Sequence, residues 1–393
     1  MTATPAPQPL LATPEADRPS SAESASFQLS WASETLPDAF LGEGERFQDL
    51  LTLMSDGLFY ELGLSVPRVT LRRDPEAMPR DARVLVNGDM AASFQTLEPK
   101  SFLVNSPVEH LALLGIPAEP SVNPATGKEC AVVREGGGTR QRCEQEGLTT
   151  WSPAGHLVLH LSAVIRKNAA KLLTADLVEL SLSILEQWFP DPVAMARTRF
   201  GVPLMTGVLR QLLEEEIPIR DLRGILESLL AVQGVTTADP QRLITFFPYP
   251  APTHLVPALE DKALAGLDVT DYTTAVRMGM KRTISHKYTR GQATLLVYLL
   301  DPAIEARIGL VQARPLTADE HVQLHEAVKK EARSLPNGGR QPVILTTAPV
   351  RRKLWELLHE AFPWLSVLSY QELAPDLNIQ PIARITSTWS SPA

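Results

Sequence analysis

The last third of the chain alternates short apolar runs with amphipathic helical patterns, and this alternation restricts the possible folds more than any other feature of the sequence. The runs predict strands at about 293–299, 342–346, 365–368 and 378–385, and the patterns predict helices at about 270–288, 302–310, 317–334 and 349–361. Strands separated by helices favour a sheet that helices cover. We therefore predict a C-terminal α/β subdomain over residues 268–386.

The first third follows a different order, in which one helix precedes three strands. The helix is expected at about 45–62, and strands are expected at about 27–31, 66–73, 83–86 and 90–96. The last two strands are joined by Asn87-Gly88-Asp89, and Asn-Gly suits the left-handed conformations of a tight turn. This order predicts a first subdomain of the α+β class over residues 26–104 and 148–170.

The remaining segments complete a multidomain chain of four subdomains, α+β and α/β in class. Residues 105–147 are rich in Pro, Gly and isolated apolar residues, which predicts a small irregular subdomain inserted into the first. Residues 171–237 predict a helical subdomain, in which helices at about 203–216 and 218–232 each have a proline near the start. We expect a disordered linker at 1–25, a Pro-rich insertion at 238–267 and a tail at 387–393.

The chain carries 37 Lys and Arg against 45 Asp and Glu, a formal net charge of −8. This sign disfavours nucleic-acid partners, because binding phosphates needs a basic surface. The two cysteines, Cys130 and Cys143, are too few for a disulfide framework and lack zinc-binding spacing, so they fit a reducing compartment. No apolar run approaches the ~20 residues that span a bilayer, and no signal peptide follows Met1. We expect the chain as given to be cytoplasmic.

Few residue patterns point to catalysis or metal binding. Two histidine pairs have the i, i+4 spacing of zinc ligands on a helix, but neither has the glutamate of an HExxH motif. The pairs are His156 with His160, and His321 with His325. The glycine clusters at 136–138 and 338–339 lack the context of a phosphate-binding loop, and no GxSxG elbow occurs. We expect packed or solvated histidines, no metal, no cofactor and no enzyme activity.

A helix hairpin around Pro218 has the outline of a helix-turn-helix, whose second helix carries Arg220 and Arg223. Acidic residues lie close to these arginines, among them three glutamates at 214–216, so DNA would meet as much negative as positive charge. A structural hairpin is therefore favoured, with Arg223 and Glu227 paired four residues apart on one helix.

The most basic segment of the chain falls on the helix predicted at 270–288 and just beyond it, where basic side chains spread over one broad side. Such runs are usually solvated faces. A concentrated positive face on an acidic protein also steers acidic protein surfaces toward it. The residues of this possible basic partner face are Arg277, Lys281, Arg282 and Lys287, and His286 and Arg290 belong to the same segment.

Five segments of the chain are distinctive in sequence. They are VPLMTGVLRQLLEE at 202–215, IPIRDLRGILESL at 217–229, KRTISHKY at 281–288, YLLDPAIE at 298–305 and LSVLSYQEL at 365–373. In this order they resemble the cytoplasmic C-terminal domain of the type III secretion export-gate (FHIPEP) family, which includes the flagellar export gate. The third and fourth segments are closer to the virulence injectisome branch. The resemblance covers about residues 27–385.

The resemblance implies a role in protein export. It implies a four-part module that assembles into a ring, nonameric in the family, below an export channel at the cytoplasmic face of the bacterial inner membrane. Family members bind export chaperone-substrate complexes, a gatekeeper protein and the ATPase stalk protein, and they are not known enzymes. We therefore expect a cytoplasmic docking platform of a type III protein export gate.

The chaperone-binding groove differs here from that of the flagellar members. Their DPxFG motif reads Asn123-Pro124-Ala125-Thr126-Gly127, and the Thr before their helical His-Leu is Leu159. The charge and the aromatic anchor are both lost. We expect Trp151 to replace part of the apolar contact, because an aromatic side chain supplies a large contact area. The groove residues implied by the resemblance are Asn123, Pro124, Thr126, Gly127, Trp151 and Leu159, and we predict an altered choice of partner.

Two alternatives to a docking platform remain at this point. The family's membrane half is missing, so the chain is either cut from a longer protein or a free-standing soluble adaptor or regulator that kept the docking surfaces. A metal hydrolase that uses His156 and His160 is the weaker alternative.

Overall fold

The structure, a computed structural model, describes residues 27–31, 47–66, 68–73, 78, 80–236, 243–246, 267–310, 314–332 and 342–386. The predicted linker at 1–25, most of the predicted Pro-rich insertion at 238–267 and the tail at 387–393 lie outside these residues. Contacts divide the chain into two compact units, residues 1–188 with 212–220 and residues 189–211 with 221–393. The finer division into four subdomains stays a prediction.

The first unit begins with a mixed sheet whose order within the described residues is β2-β1-β3-β4. Its elements are β1 (Phe27–Trp31), helix α1 (Phe47–Leu62), β2 (Val69–Arg73), β3 (Asp81–Val86) and β4 (Asp89–Gln95). Strand β1 pairs parallel with β2 and antiparallel with β3. Asn87 and Gly88 join β3 to β4 with φ angles of 54° and 89°, so the predicted tight turn is confirmed.

A second, antiparallel sheet follows, in the order β6-β7-β5-β8 among the described strands. Its elements are β5 (Ser101–Val104), α2 (Val108–Leu113), β6 (Glu119–Val122), β7 (Glu129–Arg134), α3 (Thr139–Gln145) and β8 (Thr150–Trp151). The prediction that residues 105–147 are irregular is wrong, and the sheet also takes in β5 and β8 outside those bounds. The strands have two to six residues, which is too short for a clear alternation of apolar and polar residues.

The first unit continues with three helices, α4 (Pro153–Lys167), α5 (Ala169–Leu172) and α6 (Ala175–Glu186). The Ser152 hydroxyl accepts a hydrogen bond from the Gly155 N–H at 3.1 Å and caps α4. The Thr174 hydroxyl accepts from the Leu177 N–H at 3.2 Å and caps α6. Helices α4 and α5 are separated at Asn168, whose side chain donates to the Val164 carbonyl.

The second unit contains residues 190–211 of α7 (Pro190–Glu214), a helix that is interrupted by a kink at Gly201, whose φ is 70°. It also contains helix α8 (Leu222–Leu230) and the antiparallel strands β9 (Val232–Thr236) and β10 (Leu243–Phe246). The prediction of a helix starting at Pro218 is wrong, because the Asp221 carboxylate accepts from the Gly224 N–H at 2.9 Å and caps a helix that begins at Leu222. Strand β10 lies within the predicted Pro-rich insertion at 238–267. The predicted pair of Arg223 with Glu227 is confirmed at 2.7 Å.

The C-terminal part of the second unit is the predicted α/β fold. Its described elements are α9 (Val269–Gly279), α10 (Lys281–Thr289), β11 (Thr294–Leu300), α11 (Pro302–Gly309), α12 (Ala318–Ala332), β12 (Val343–Thr346), α13 (Ala348–Leu358), β13 (Val367–Ser369), a 3₁₀ turn (Tyr370–Glu372) and β14 (Asn378–Ile385). The strands are parallel in the order β13-β12-β11-β14. The helix predicted at 270–288 is broken at Met280, which lies between α9 and α10.

The core of this α/β fold lies between the sheet and helices α11 to α13. It includes Ile304, Leu324 and Leu354, whose side chains are fully buried. The predicted fold class is therefore confirmed. Within the described residues, no helix is both long and apolar enough to cross a lipid bilayer.

Candidate partner-binding site

The predicted groove residues lie at two places in the first unit. One is the loop between β6 and β7, which carries Asn123 to Gly127, and the other is the junction of β8 with α4, which carries Trp151 and Leu159. Strands β6 and β8 are at opposite edges of the described sheet. Three strand spacings of ~4.8 Å place these edges about 14 Å apart.

The loop from Asn123 to Gly127 is shaped by its own hydrogen bonds. Asn123 is 2% exposed, and its side-chain oxygen accepts from the Ala125 N–H at 2.9 Å. Its main chain donates to the Lys128 carbonyl and accepts from the Gly127 N–H. Gly127 has a φ of 67°, which glycine adopts readily. Asn123 therefore stabilises the loop and is not accessible to a partner, which corrects its prediction as a contact residue.

The other loop residues are more accessible. Thr126 and Gly127 are exposed, and Pro124 is half-buried. The Thr126 hydroxyl lies 3.4 Å from the Lys128 N–H. These three residues are able to contact a partner through a polar, tightly turned edge.

Trp151 and Leu159 contact one apolar cluster. Both are half-buried and pack against Leu97, Leu103 and Cys130, and Val132 belongs to the same cluster. Leu103 lies opposite Trp151 on one side and Val132 on the other, so all three side chains project from one face of the sheet. The structure thus brings two predicted groove residues together in a continuous apolar surface that remains partly open to a partner.

The first turn of α4 is held closely against Trp151. A Cβ atom on Gly155 would lie 3.2 Å from the Trp151 Cβ and 3.4 Å from its Cδ1. This distance leaves little room for a larger residue at position 155. Gly155 therefore allows α4 to approach the Trp151 indole. This role was not predicted from the sequence, because a glycine in the first turn of a helix is only a weak signal of close packing.

His156 and His160 lie beside Leu159 on α4, with ring centres 4.6 Å apart. The His160 ring stacks on Phe94 of β4 at 3.7 Å. Burial lowers the pKa of His156 to about 4, and burial together with the nearby His156 lowers the pKa of His160 to about 3. Both rings are therefore neutral near pH 7, and the His156 Nδ1 makes no hydrogen bond with the described residues.

The histidines do not assemble a metal site in the described part of the chain, where no three His, Cys, Asp or Glu side chains lie close enough to hold one ion. In the second pair, the ring centres of His321 and His325 are 6.4 Å apart. The Nε2 of His325 lies 3.0 Å from the Leu357 carbonyl oxygen, and a hydrogen bond between them fixes the ring. The glycine cluster at 338–339 lies outside the described residues.

The predicted basic partner face needs one correction, because Arg277 is fully buried. Its Nε and Nη2 donate to the two carboxylate oxygens of Glu372 at 3.0 and 2.8 Å. The Nε of Arg351 lies 2.9 Å from the same carboxylate. Arg277 thus belongs to a buried ion cluster that connects α9, α13 and the 3₁₀ turn, and a partner cannot reach it.

The other residues of the predicted face reach the surface of α10 to different degrees. Arg282 is exposed, whereas Lys281 and Lys287 are half-buried. The Lys287 ammonium lies 5.3 Å from the centre of the Tyr288 ring. Two exposed residues of the same segment, His286 and Arg290, were not included in the predicted face.

Comparison with sequence families places the chain among known proteins. The sequence model of the FHIPEP family matches residues 9–247 and 253–378. Within the predicted insertion at 238–267, only residues 248–252 are left unmatched.

Two relatives match over most of the chain. Low calcium response locus protein D of Yersinia pestis is 26% identical over 351 residues, which are 87% of this chain and 45% of that protein. Flagellar biosynthesis protein FlhA of Bacillus subtilis is 25% identical over 367 residues, which are 91% of this chain and 48% of that protein. The chain spans about half the length of both relatives.

Solved structures share the fold. CdsV of Chlamydia pneumoniae, determined in complex with CdsO, is 26% identical with a TM-score of 0.77, over 93% of this chain and 99% of that one. The nonameric EscV cytosolic domain from the type III secretion system has 17% identity and a TM-score of 0.64, over 93% of this chain and 97% of that one. At this lower identity the likeness shows the fold alone.

Proposed function

Because the chain belongs to the FHIPEP family, we propose that it is a docking platform of a type III protein export gate. In this role it binds export chaperone-substrate complexes, a gatekeeper protein and the ATPase stalk protein at the cytoplasmic face of the inner membrane. It acts by binding and catalyses no reaction. The observation that carries the proposal is the likeness, at 26% identity and a TM-score of 0.77, to a protein whose structure was determined bound to another protein.

The groove of the first unit supports a binding role. Trp151 and Leu159 present apolar area that the sheet beneath them holds in place, and exposed Thr126 lies at the polar edge of the same sheet. A rigid aromatic anchor with a polar rim is the usual composition of a protein-binding hot spot. We assign the centre of the groove to Trp151 and Leu159 and its rim to Pro124, Thr126 and Gly127.

The neutral histidines beside the groove fit binding better than catalysis. A general acid or base works best with a pKa near the working pH. Burial lowers the pKa of both His156 and His160 to about 4 or below. We therefore assign these rings to packing beneath the groove and not to proton transfer.

Ring assembly is the second part of the proposal. The fold shared with the nonameric EscV domain supports assembly of this chain through contacts between identical copies. The copies are expected to associate more fully as protein concentration rises, because association of identical copies follows mass action.

The test combines a size measurement with a binding measurement. Mass photometry and electron microscopy over a wide concentration range are expected to show closed rings, and calorimetry with a co-encoded export chaperone and its substrate is expected to show binding. Trp151→Ala is expected to weaken that binding about 30-fold, since a hot-spot side chain contributes ~2 kcal/mol or more.

Trp188→Ala is the matched control, because Trp188 is 68% exposed and lies outside the groove. This variant is expected to bind within about threefold of the parent chain. Thermal unfolding of both variants checks that the fold survives. A protein that stays monomeric at every concentration and binds no chaperone contradicts the proposal, as does equal loss of binding in both variants.

A further inference from the structure

Helix α10 carries a stripe of basic side chains along its outer side. Arg282, His286 and Arg290 are exposed and follow one another at intervals of four residues. Residues at this spacing lie on one face of a helix. With a rise of ~1.5 Å per residue, Arg282 and His286 are about 6 Å apart along the axis. Arg290 extends the stripe one residue past the end of the helix at Thr289.

The opposite side of α10 fixes the stripe at the surface. Ile284, Ser285 and Thr289 are buried. The Ser285 hydroxyl accepts a hydrogen bond from the Ala374 N–H at 2.9 Å, which connects the helix to the loop after the 3₁₀ turn. The helix cannot turn its basic side inward without breaking these contacts.

Few carboxylates lie on the described elements that pack against the stripe. The sequence has no Asp or Glu from residue 281 to 290, and β11, which packs beside α10, has none either. The other closely packed elements are α9 and the 3₁₀ turn, with one acid each, and the loop after the 3₁₀ turn carries the exposed Asp376. Asp271 forms the capping box at the far end of α9, and Glu372 is buried between Arg277 and Arg351. Arg282 and Arg290 form no ion pair with any other described residue.

The sequence of α10 also departs from what helix stability favours. The cations of α10 have no acid on the same helix with which to form a stabilising pair three or four residues away. Arg290 adopts a φ of 52°, the left-handed conformation that glycine takes most readily, and Gly291 follows it with a φ of 78°. Residues that lower the stability of their own element and have no compensating structural role concentrate at functional sites.

We propose that the stripe formed by Arg282, His286 and Arg290 docks an acidic segment of a partner protein. A helix with a carboxylate at every fourth residue repeats at the interval of about 6 Å that separates Arg282 from His286, and it presents a further carboxylate to Arg290. The choice of a protein as the acidic partner rests on the proposed function, and the geometry of the stripe does not depend on it. This surface replaces the predicted basic face that included the buried Arg277.

The test uses two labelled, capped alanine-based peptides of equal composition. One has Glu at every fourth position, and the other has the same glutamates distributed around the helix. The first is expected to bind at least about five times more tightly, and 1 M salt is expected to remove the difference because the screening length falls from ~10 Å at 0.1 M to ~3 Å.

The variant Arg282→Glu/Arg290→Glu is expected to weaken binding of the first peptide at least about tenfold at 50 mM salt. Lys167→Glu/Lys171→Glu is the matched control, since both lysines are exposed, lie four residues apart and give the same change in net charge. The control is expected to stay within about threefold. Equal weakening in the two variants overturns the proposal.

Arg290→Gly separates binding from folding. Glycine removes one charge and suits the left-handed conformation, so the thermal midpoint is expected to rise while peptide affinity falls two- to threefold. An unchanged affinity contradicts the role of Arg290. Vesicles of phosphatidylglycerol and a DNA duplex are tested in parallel, and tighter stripe-dependent binding to either one overturns the assignment to a protein. Absence of rings and chaperone binding refutes the proposed function and leaves the peptide result standing.

Discussion

Replacing Glu372 with Gln is expected to destabilise the second unit strongly. Glu372 and Arg277 are fully buried, and the Arg351 side chain is 1% exposed. The substitution removes the carboxylate that lies against both buried guanidinium groups. Breaking a buried ion pair by removing one partner costs about 3–5 kcal/mol. Because two cations share this carboxylate, we expect a loss of about 4 kcal/mol or more.

The geometry of an amide makes compensation difficult. In either orientation, the new side chain of the Glu372→Gln variant would place its NH₂ group where Glu372 now accepts hydrogen bonds at 2.8 to 3.0 Å, so donor would face donor. A loss of about 4 kcal/mol changes the ratio of folded to unfolded protein by nearly a thousandfold at ~1.4 kcal/mol per decade. This effect is large compared with a total stability of about 5–15 kcal/mol.

Urea unfolding measures the loss, and hydrogen exchange of the amides in α9 and α13 locates it. Glu320→Gln is the matched control. Glu320 pairs with Arg307 at 2.7 Å, but Arg307 also donates to the Arg314 and Pro315 carbonyls and keeps these acceptors in the variant. The control is therefore expected to lose less than about 2 kcal/mol.

A triple variant keeps the reasoning testable if Glu372→Gln does not fold. Arg277→Met, Arg351→Met and Glu372→Leu together replace all three charges with apolar groups, which is often neutral or stabilising. We expect this variant to be more stable than Glu372→Gln. A Glu372→Gln protein that loses under about 1 kcal/mol, or no more than Glu320→Gln, refutes the argument.

Two further predictions concern the first unit. Gly63→Ala is expected to lower the free energy of unfolding in urea by roughly 3 kcal/mol, because Gly63 has a φ of 78° and a Cβ there would lie 2.2 Å from the Arg220 main-chain nitrogen. Gly88→Ala is the control, since Gly88 has a φ of 89° but open space around it, and its loss is expected to be no more than about 2 kcal/mol. Equal losses in the two variants would count against the steric argument. Burial lowers the pKa of His156 to about 4 and of His160 to about 3. Between pH 6.5 and pH 5 these histidines therefore take up protons in the unfolded chain, where their pKa is about 6.5, but not in the folded protein. The free energy of unfolding is expected to fall over this range by on the order of 2 kcal/mol. The double variant His156→Leu/His160→Leu is expected to show a flatter pH profile, and an unchanged slope would contradict the assignment.

The sequence was most informative where its pattern is periodic. The alternation over residues 268–386 predicted each described strand and helix of the α/β fold with bounds within a few residues, apart from the break at Met280. The five distinctive segments predicted the family, and the match of the family model confirms it. These features are local, so a single sequence contains them.

The sequence was least informative where the structure depends on distant residues. Arg277 looks like part of a basic surface because its neighbours in sequence are basic, but Glu372, the acid that allows its burial, is 95 residues away. The stacking of His160 on Phe94 is also a tertiary contact. Neither arrangement leaves a trace in local composition or periodicity.

Other errors came from local signals that were given the wrong weight. Asn123 followed by Pro, Ala, Thr and Gly is typical of a turn in which the side chain bonds the main chain, and this explains its burial. Asp221 three residues before Gly224 is a capping signal, and it decided the start of α8 in place of Pro218. In both cases a polar side chain satisfies backbone N–H groups.

The buried cluster of Arg277, Arg351 and Glu372 also determines when this part of the protein is able to mature on the ribosome. Helix α9 leaves the ribosome with an arginine whose neutralising acid follows 95 residues later in the chain. At about 5–20 residues per second, that interval is roughly 5–20 s. During synthesis, the nascent second unit therefore has to wait for nearly its last strand before the Arg277 side chain enters the core.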